Sequence, residues 1–176
     1  TNARIYGQHA EVSEILVDQG AITQIGQNLP KADEEIDLQG RLVVPPYVDA
    51  HLHLDYVYTA GSEGAKNASG TLFEGIARWH DVKKTQTLED AKERAIKGIE
   101  EEVSKGVQFI RTHIDVCDPR LTGLQAMLEI REQLKDKVTI QIVAFPQEGM
   151  YAYKGGDEMV EEALKIGADC VGAIPH

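Results

Sequence analysis

Pro45-Pro46-Tyr47-Val48-Asp49-Ala50-His51-Leu52-His53-Leu54-Asp55 is the stretch on which the fold turns. The two prolines close one kind of sequence, and another begins after them. Residues 47–53 read as a strand that finishes on histidines. Side chains two apart on a strand share a side, so His51 and His53 aim two imidazoles at one point. That arrangement suits a divalent metal with nitrogen ligands. A lone His-x-His is a weak signal. Its weight comes from its place at the end of a strand, where parallel α/β sheets and barrels carry their sites. Asp49 and Asp55 flank the pair and are candidates for orienting it.

Downstream of this stretch, helix and strand signals alternate. Residues 71–80 form a short helix candidate, with Thr71 and Glu74 at capping-box spacing. Residues 87–105 are the strongest helix: Thr87 caps it, Leu88, Ala91, Ala95, Ile96, Ile99 and Val103 share one stripe, and Gly106 stops it. Strands over 107–115, 138–145 and 170–174 enclose helices over 121–134 and 157–166. Strands therefore end near His53, His113, Phe145 and Ile174. The last three intervals are about thirty residues, the length of a βα unit. Apolar strands alternating with amphipathic helices predict a parallel sheet covered by helices.

Upstream, residues 1–45 are β-rich. Residues 14–17 and 21–26 flank Asp18-Gln19-Gly20 and read as a hairpin, with further short strands at 36–38 and 41–44. The chain thus divides into an N-terminal β portion, 1–45, and an α/β portion, 46–176.

Composition narrows the function classes. The 176 residues carry a net charge of −11, a poor match for nucleic acid or an anionic membrane. No apolar run approaches the roughly 20 residues of a membrane span, and residues 1–4 do not open a signal peptide. Cys117 and Cys170 are too few for a disulfide framework, which fits a reducing cytoplasm, and no C-x-x-C is present.

His113 and Asp115 end their strand as His51 and His53 end theirs. They read equally as groups beside a metal or substrate path and as a hydrogen-bonded polar strand end. Gln147, in Phe145-Pro146-Gln147-Glu148-Gly149, carries a donor and an acceptor and can hold a ring amide edge; on composition alone it is a surface loop residue. Glu148 has the chemistry of an acid/base and no further sign of that role. His80, beside Trp79 on an amphipathic helix, reads as structural. His9-Ala10-Glu11 mimics the H-x-E of small zinc nucleobase deaminases but lacks their P-C-x-x-C. His176 stands at the end of the fourth strand as an extra ligand candidate.

The stretch 45–55 resembles the start of an amidohydrolase-superfamily barrel. Residues 70–76 (GTLFEGI), 111–116 (RTHIDV), 142–149 (IVAFPQEG) and 172–176 (GAIPH) narrow the resemblance to the barrel-type bacterial cytosine deaminases, across nearly the whole chain. The resemblance implies a metal-dependent hydrolase: a (β/α)8 TIM-like barrel, here its first half, preceded by N-terminal strands of a small β-sandwich. It implies one divalent metal, Fe(II) or Zn(II), held in part by His51 and His53. Gln147 matches the glutamine that holds the pyrimidine edge, and Leu72 the residue whose main chain contacts the ring. It also implies a small nucleobase or related cyclic amidine as substrate, and a homo-oligomer when complete. The family's later ligands and its proton-shuttling glutamate belong to strands five to eight, so this sequence is expected to be the N-terminal half of an enzyme. Creatinine, isoguanine, a pterin or a triazine presents a similar edge, and a non-catalytic half-barrel is the remaining alternative.

Overall fold

The computed structural model describes residues 1–7 and 12–174, which fall into two compact units, 1–45 and 46–176. His9-Ala10-Glu11 and His176 lie outside the described residues.

In the first unit, β1 (Arg4–Ile5) precedes a hairpin of β2 (Glu14–Asp18) and β3 (Ala21–Gly26), and β4 (Leu42–Val43) pairs parallel with β1. Gln19 and Gly20 take φ of 48° and 78°, the two left-handed positions that a tight two-residue hairpin turn requires. Residues 36–38 are not a strand, contrary to the sequence reading. Asp37 accepts the Gln39 N–H at 2.9 Å in a local turn, and the distant Asn2 side chain, also at 2.9 Å, holds the same carboxylate oxygen.

The second unit is a mixed α/β fold. Its elements are β5 (Tyr47–Leu52), α1 (Leu72–Lys83), α2 (Leu88–Ser104), β6 (Val107–Asp115), α3 (Thr122–Gln133), β7 (Thr139–Phe145), α4 (Gly156–Ile166) and β8 (Cys170–Val171). The four strands form one parallel sheet in the order β5-β6-β7-β8. Helix α1 runs three residues past the expected end at His80, and β8 stops at Val171. Thr71 and Thr87 cap their helices, their hydroxyls accepting from the N–H groups of Glu74 and Asp90. The Glu74 carboxylate turns to the Ser69 N–H at 2.6 Å and leaves the Thr71 N–H to Ser69 Oγ.

Alternation along the strands sorts the two faces of the sheet. Ile110 and Ile114 of β6 and Ile140, Ile142 and Ala144 of β7 pack with Ala95, Ile99, Leu124, Met127 and Ile130 of the helices. Each such large side chain contributes about 1.5–3 kcal/mol by leaving water. Phe109, Arg111 and His113 lie on the other face of β6. On β5 the register slips between Asp49 and Leu52, which pair with Ile110 and Thr112. One extra residue on β5 re-phases the strand, so Leu52 packs on the helical core and the His51 ring meets His113. Among the described residues no helix is long and apolar enough to cross a membrane.

Candidate active site

Three imidazoles gather at the C-terminal ends of β5 and β6. The ring centroids of His51 and His53 lie 5.3 Å apart, and that of His113 lies 4.0 Å from His51, stacked, and 5.6 Å from His53. Phe145 at the end of β7 sits 5.5 Å from both His53 and His113, and Tyr56 stacks on His53 at 4.6 Å. Burial, reinforced by the neighbouring His113 and His51, pushes the His53 imidazole down to about 4. Burial and His51 also lower His113. His53 is therefore neutral near pH 7, the state a metal needs in its ligand. The Nδ1 atoms of His53 and His113 are buried without a hydrogen-bond partner. Neutral nitrogen donors with orphaned atoms fit part of a metal's coordination shell. Among the described residues no group of three or more His, Cys, Asp or Glu is arranged to hold a metal.

The flanking carboxylates serve the backbone rather than the rings. Asp49 accepts the N–H of His51 at 3.0 Å, inside the register slip of β5. Asp55 is fully buried and accepts the Asp115 N–H at 2.8 Å, tying the segment after His53 to β6. Burial raises its carboxyl to about 7, and its Oδ1 has no partner. The Leu54 N–H between them is satisfied by the buried Thr112 hydroxyl at 3.0 Å.

The Asp115 side chain anchors a second polar network. Its Oδ2 accepts from Trp79 Nε1 at 2.8 Å and Lys83 Nζ at 2.7 Å. Its Oδ1 accepts from the N–H groups of Cys117 at 2.8 Å and Gln147 at 3.4 Å. Lys83 also pairs with Glu148, whose Oε1 meets His80 Nδ1 at 2.8 Å. Burial raises the Glu148 carboxyl, but the Lys83 and His80 hydrogen bonds outweigh it and leave it below the usual range. Glu148 is thus held by the Lys83 ion pair, and His80 is its hydrogen-bond partner.

Gln147 is buried, and together with Leu72 it lines a cavity of about 420 Å³ that Tyr56, Trp79 and Ile76 help to close. An adjoining cavity of about 510 Å³ shares Ile76 and Gln147 and opens onto His80 and Glu148. The structure thus brings Leu72 to Gln147, and His51 to His53 and His113; the imidazoles do not line the Gln147 cavity.

Sequence reasoning missed Lys83, Trp79 and Tyr56. A lysine on an amphipathic helix reads as solvent-facing. The available signal was spacing: Trp79 and Lys83 are four apart, on one face of α1.

The profile of the Amidohydrolase family matches residues 34–171. N-isopropylammelide isopropyl amidohydrolase of Pseudomonas sp. (strain ADP) is 34% identical over 145 residues, covering 80% of this chain and 36% of its own length. The crystal structure of 5-methylcytosine deaminase from Klebsiella pneumoniae liganded with 5-fluorocytosine superposes with a TM-score of 0.91 at 46% identity, over 99% of this chain and 43% of that one. N-isopropylammelide isopropylaminohydrolase from Burkholderia multivorans gives 0.75 at 29% identity, over 97% of this chain and 43% of that one. The chain therefore spans well under half the length of these relatives. With a family profile covering most of its length and its parallel sheet shared with these structures, the chain belongs to the Amidohydrolase family.

Proposed function

We propose that this chain supplies the first four strands of a barrel whose complete form hydrolytically deaminates cytosine or a 5-substituted cytosine, with the strands of residues 1–45 forming part of a small β-sandwich. The observation that carries the reading is the placement of Leu72 and Gln147 on one cavity whose lining includes Tyr56, the ring that stacks on His53. Likeness to the 5-methylcytosine deaminase, at 46% identity, supports the ring.

His51 and His53 would hold the divalent metal, Fe(II) or Zn(II), with further ligands from outside these residues. A cation there supplies Lewis-acid activation of the attacking water. The Gln147 amide donates to and accepts from the pyrimidine edge, and the main chain at Leu72 contacts the ring. Tyr56, Trp79 and Ile76 shelter that edge from water. Water adds at the amine-bearing ring carbon, the C–N bond breaks, and ammonia leaves. The contact with the ring edge contributes binding energy that the ground and transition states share. His113 packs against His51 and fixes its ring. We place the protein in the cytoplasm as a homo-oligomer.

The second reading keeps the chemistry and changes the ring, as the two N-isopropylammelide hydrolases among its relatives favour. Intact mass and bound metal on the purified full-length enzyme, followed by ammonia release from cytosine, 5-methylcytosine and a triazine, test both. About one metal per chain with turnover of a cytosine is the expected result. Turnover of the triazine alone selects the second reading, and neither metal nor turnover rejects both.

A further inference from the structure

We propose that Lys83 is a positioning residue for substrate, locking the loop that carries Gln147 to the helix that carries Leu72. This rests on the deaminase reading above, in which Gln147 and Leu72 touch the ring. The argument begins with the Asp115 carboxylate, whose two oxygens serve different elements. Oδ2 holds α1 through Trp79 and Lys83, while Oδ1 holds the N–H of Gln147 and that of Cys117. Lys83 then crosses to Glu148, the residue after Gln147. The loop is pinned twice, at the Gln147 main chain by Asp115 and at the Glu148 side chain by Lys83. The segment is itself tightened by a turn, in which Gly149 N–H donates to Pro146 O at 2.8 Å.

Helix α1 passes the same constraint to its other end. Lys83 is its last residue and Leu72 its first, so the ion pair that fixes one end sets where the other faces Gln147 across the cavity. The Lys83 side chain is only 6% exposed, and its two carboxylate partners 1% and 20%. An ammonium buried this deeply costs much desolvation, and an apolar residue of similar volume fills such a space at least as well for stability alone. What the ion pair adds is direction: it accepts one arrangement of α1 and the loop. Among the described residues, none of the Lys83, Asp115 and Glu148 side-chain contacts reaches His51, His53 or His113, so the device acts on the ring and leaves the metal alone.

The test uses the full-length enzyme, with Lys83→Met as the main variant. The expected result is a KM for cytosine raised about 10- to 100-fold, with kcat within threefold and metal content unchanged, as weakening a contact made equally in the ground and transition states would produce. A fall in kcat at constant KM, a parallel loss of metal, or a folded variant with wild-type kinetics overturns the proposal. If Lys83→Met does not fold, Glu148→Ala decides by the same criteria, because it leaves the Lys83–Asp115 pair in place; its expected rise in KM is about threefold to tenfold. If the wild-type protein turns over neither cytosine nor 5-methylcytosine, the deaminase reading has failed, and amide exchange at Gln147 decides. Faster exchange there in Lys83→Met, with strand 139–145 still protected, upholds the lock; unchanged exchange refutes it.

Discussion

Replacing Gly156 with alanine tests how closely α4 is seated against the Gln147 loop. A Cβ on Gly156 would sit 2.4 Å from the carbonyl oxygen of Met150 and 3.1 Å from its carbonyl carbon. Carbon–oxygen contacts settle at about 3.3 Å, so the added methyl falls short by about 0.9 Å. The obstacle is main chain, which cannot rotate aside, so the loop over 149–153 or the helix start must move. Such overpacking costs about 1–3 kcal/mol. Alanine repays at most about 1 kcal/mol through helix propensity, and less in a first turn. A net loss of about 1–2 kcal/mol remains, equivalent to a urea midpoint lower by about 0.5–1 M at a slope near 2 kcal/mol/M. Gly75→Ala is the matched control. That Cβ would meet only Asn67 Nδ2, at 3.4 Å, within α1, so the midpoint should rise, by the equivalent of about 0.5–1 kcal/mol. The assay is equilibrium urea unfolding of both variants followed by circular dichroism. A Gly156→Ala midpoint at or above wild type would refute the reasoning, since the 2.4 Å contact would then be relieved at no cost.

Three further outcomes follow from the site. Gln147→Leu, nearly isosteric, should raise the KM for cytosine about 10- to 100-fold with metal content unchanged, because it removes both hydrogen bonds to the ring edge; steady-state ammonia release and metal analysis read this directly. His51→Ala and His53→Ala should each lower bound metal at least about tenfold, measured by elemental analysis after dialysis, while His80→Ala should leave it unchanged. Burial pushes the Cys117 thiol up to about 12, so it should stay unlabelled by a thiol reagent at pH 8 in the native protein and react once urea unfolds it.

The α/β succession was legible because its signals are periodic. The stripe of α2 and the alternation of β6 and β7 place Ala95, Ile99, Ile110 and Ile142 in the core without reference to anything distant. Residues 36–38 misled for the opposite reason. Ile-Asp-Leu has the alternation of a strand, and Ile36 and Leu38 do bond the main chain of Thr1, but the Asp37 carboxylate takes the Gln39 N–H and turns the chain at once. At the site, the closeness of His51 and His53 follows from period two, whereas the extra residue on β5 does not announce itself. Asp49 shows why: its hydrogen bond to the His51 N–H belongs to a slip whose register only the pairing with β6 defines. Lys83 was illegible because its partners, Asp115 and Glu148, lie 32 and 65 residues away. A buried charge is recognisable only with its counter-ions in view.

The strand order of the second unit has a bearing on synthesis. Spatial order equals chain order, so every strand pairs with the one made just before it. A nascent chain leaving the ribosome can zip this sheet from its N-terminal side, burying each new edge as the next strand clears the exit tunnel and never waiting for a distant segment. Closing a loop of one βα unit is a small entropic step compared with bringing together the two ends of a long polypeptide. Pausing translation once residue 145 has cleared the exit tunnel should therefore leave β5, β6 and β7 already paired around α2 and α3, resistant to a protease pulse on the stalled ribosome.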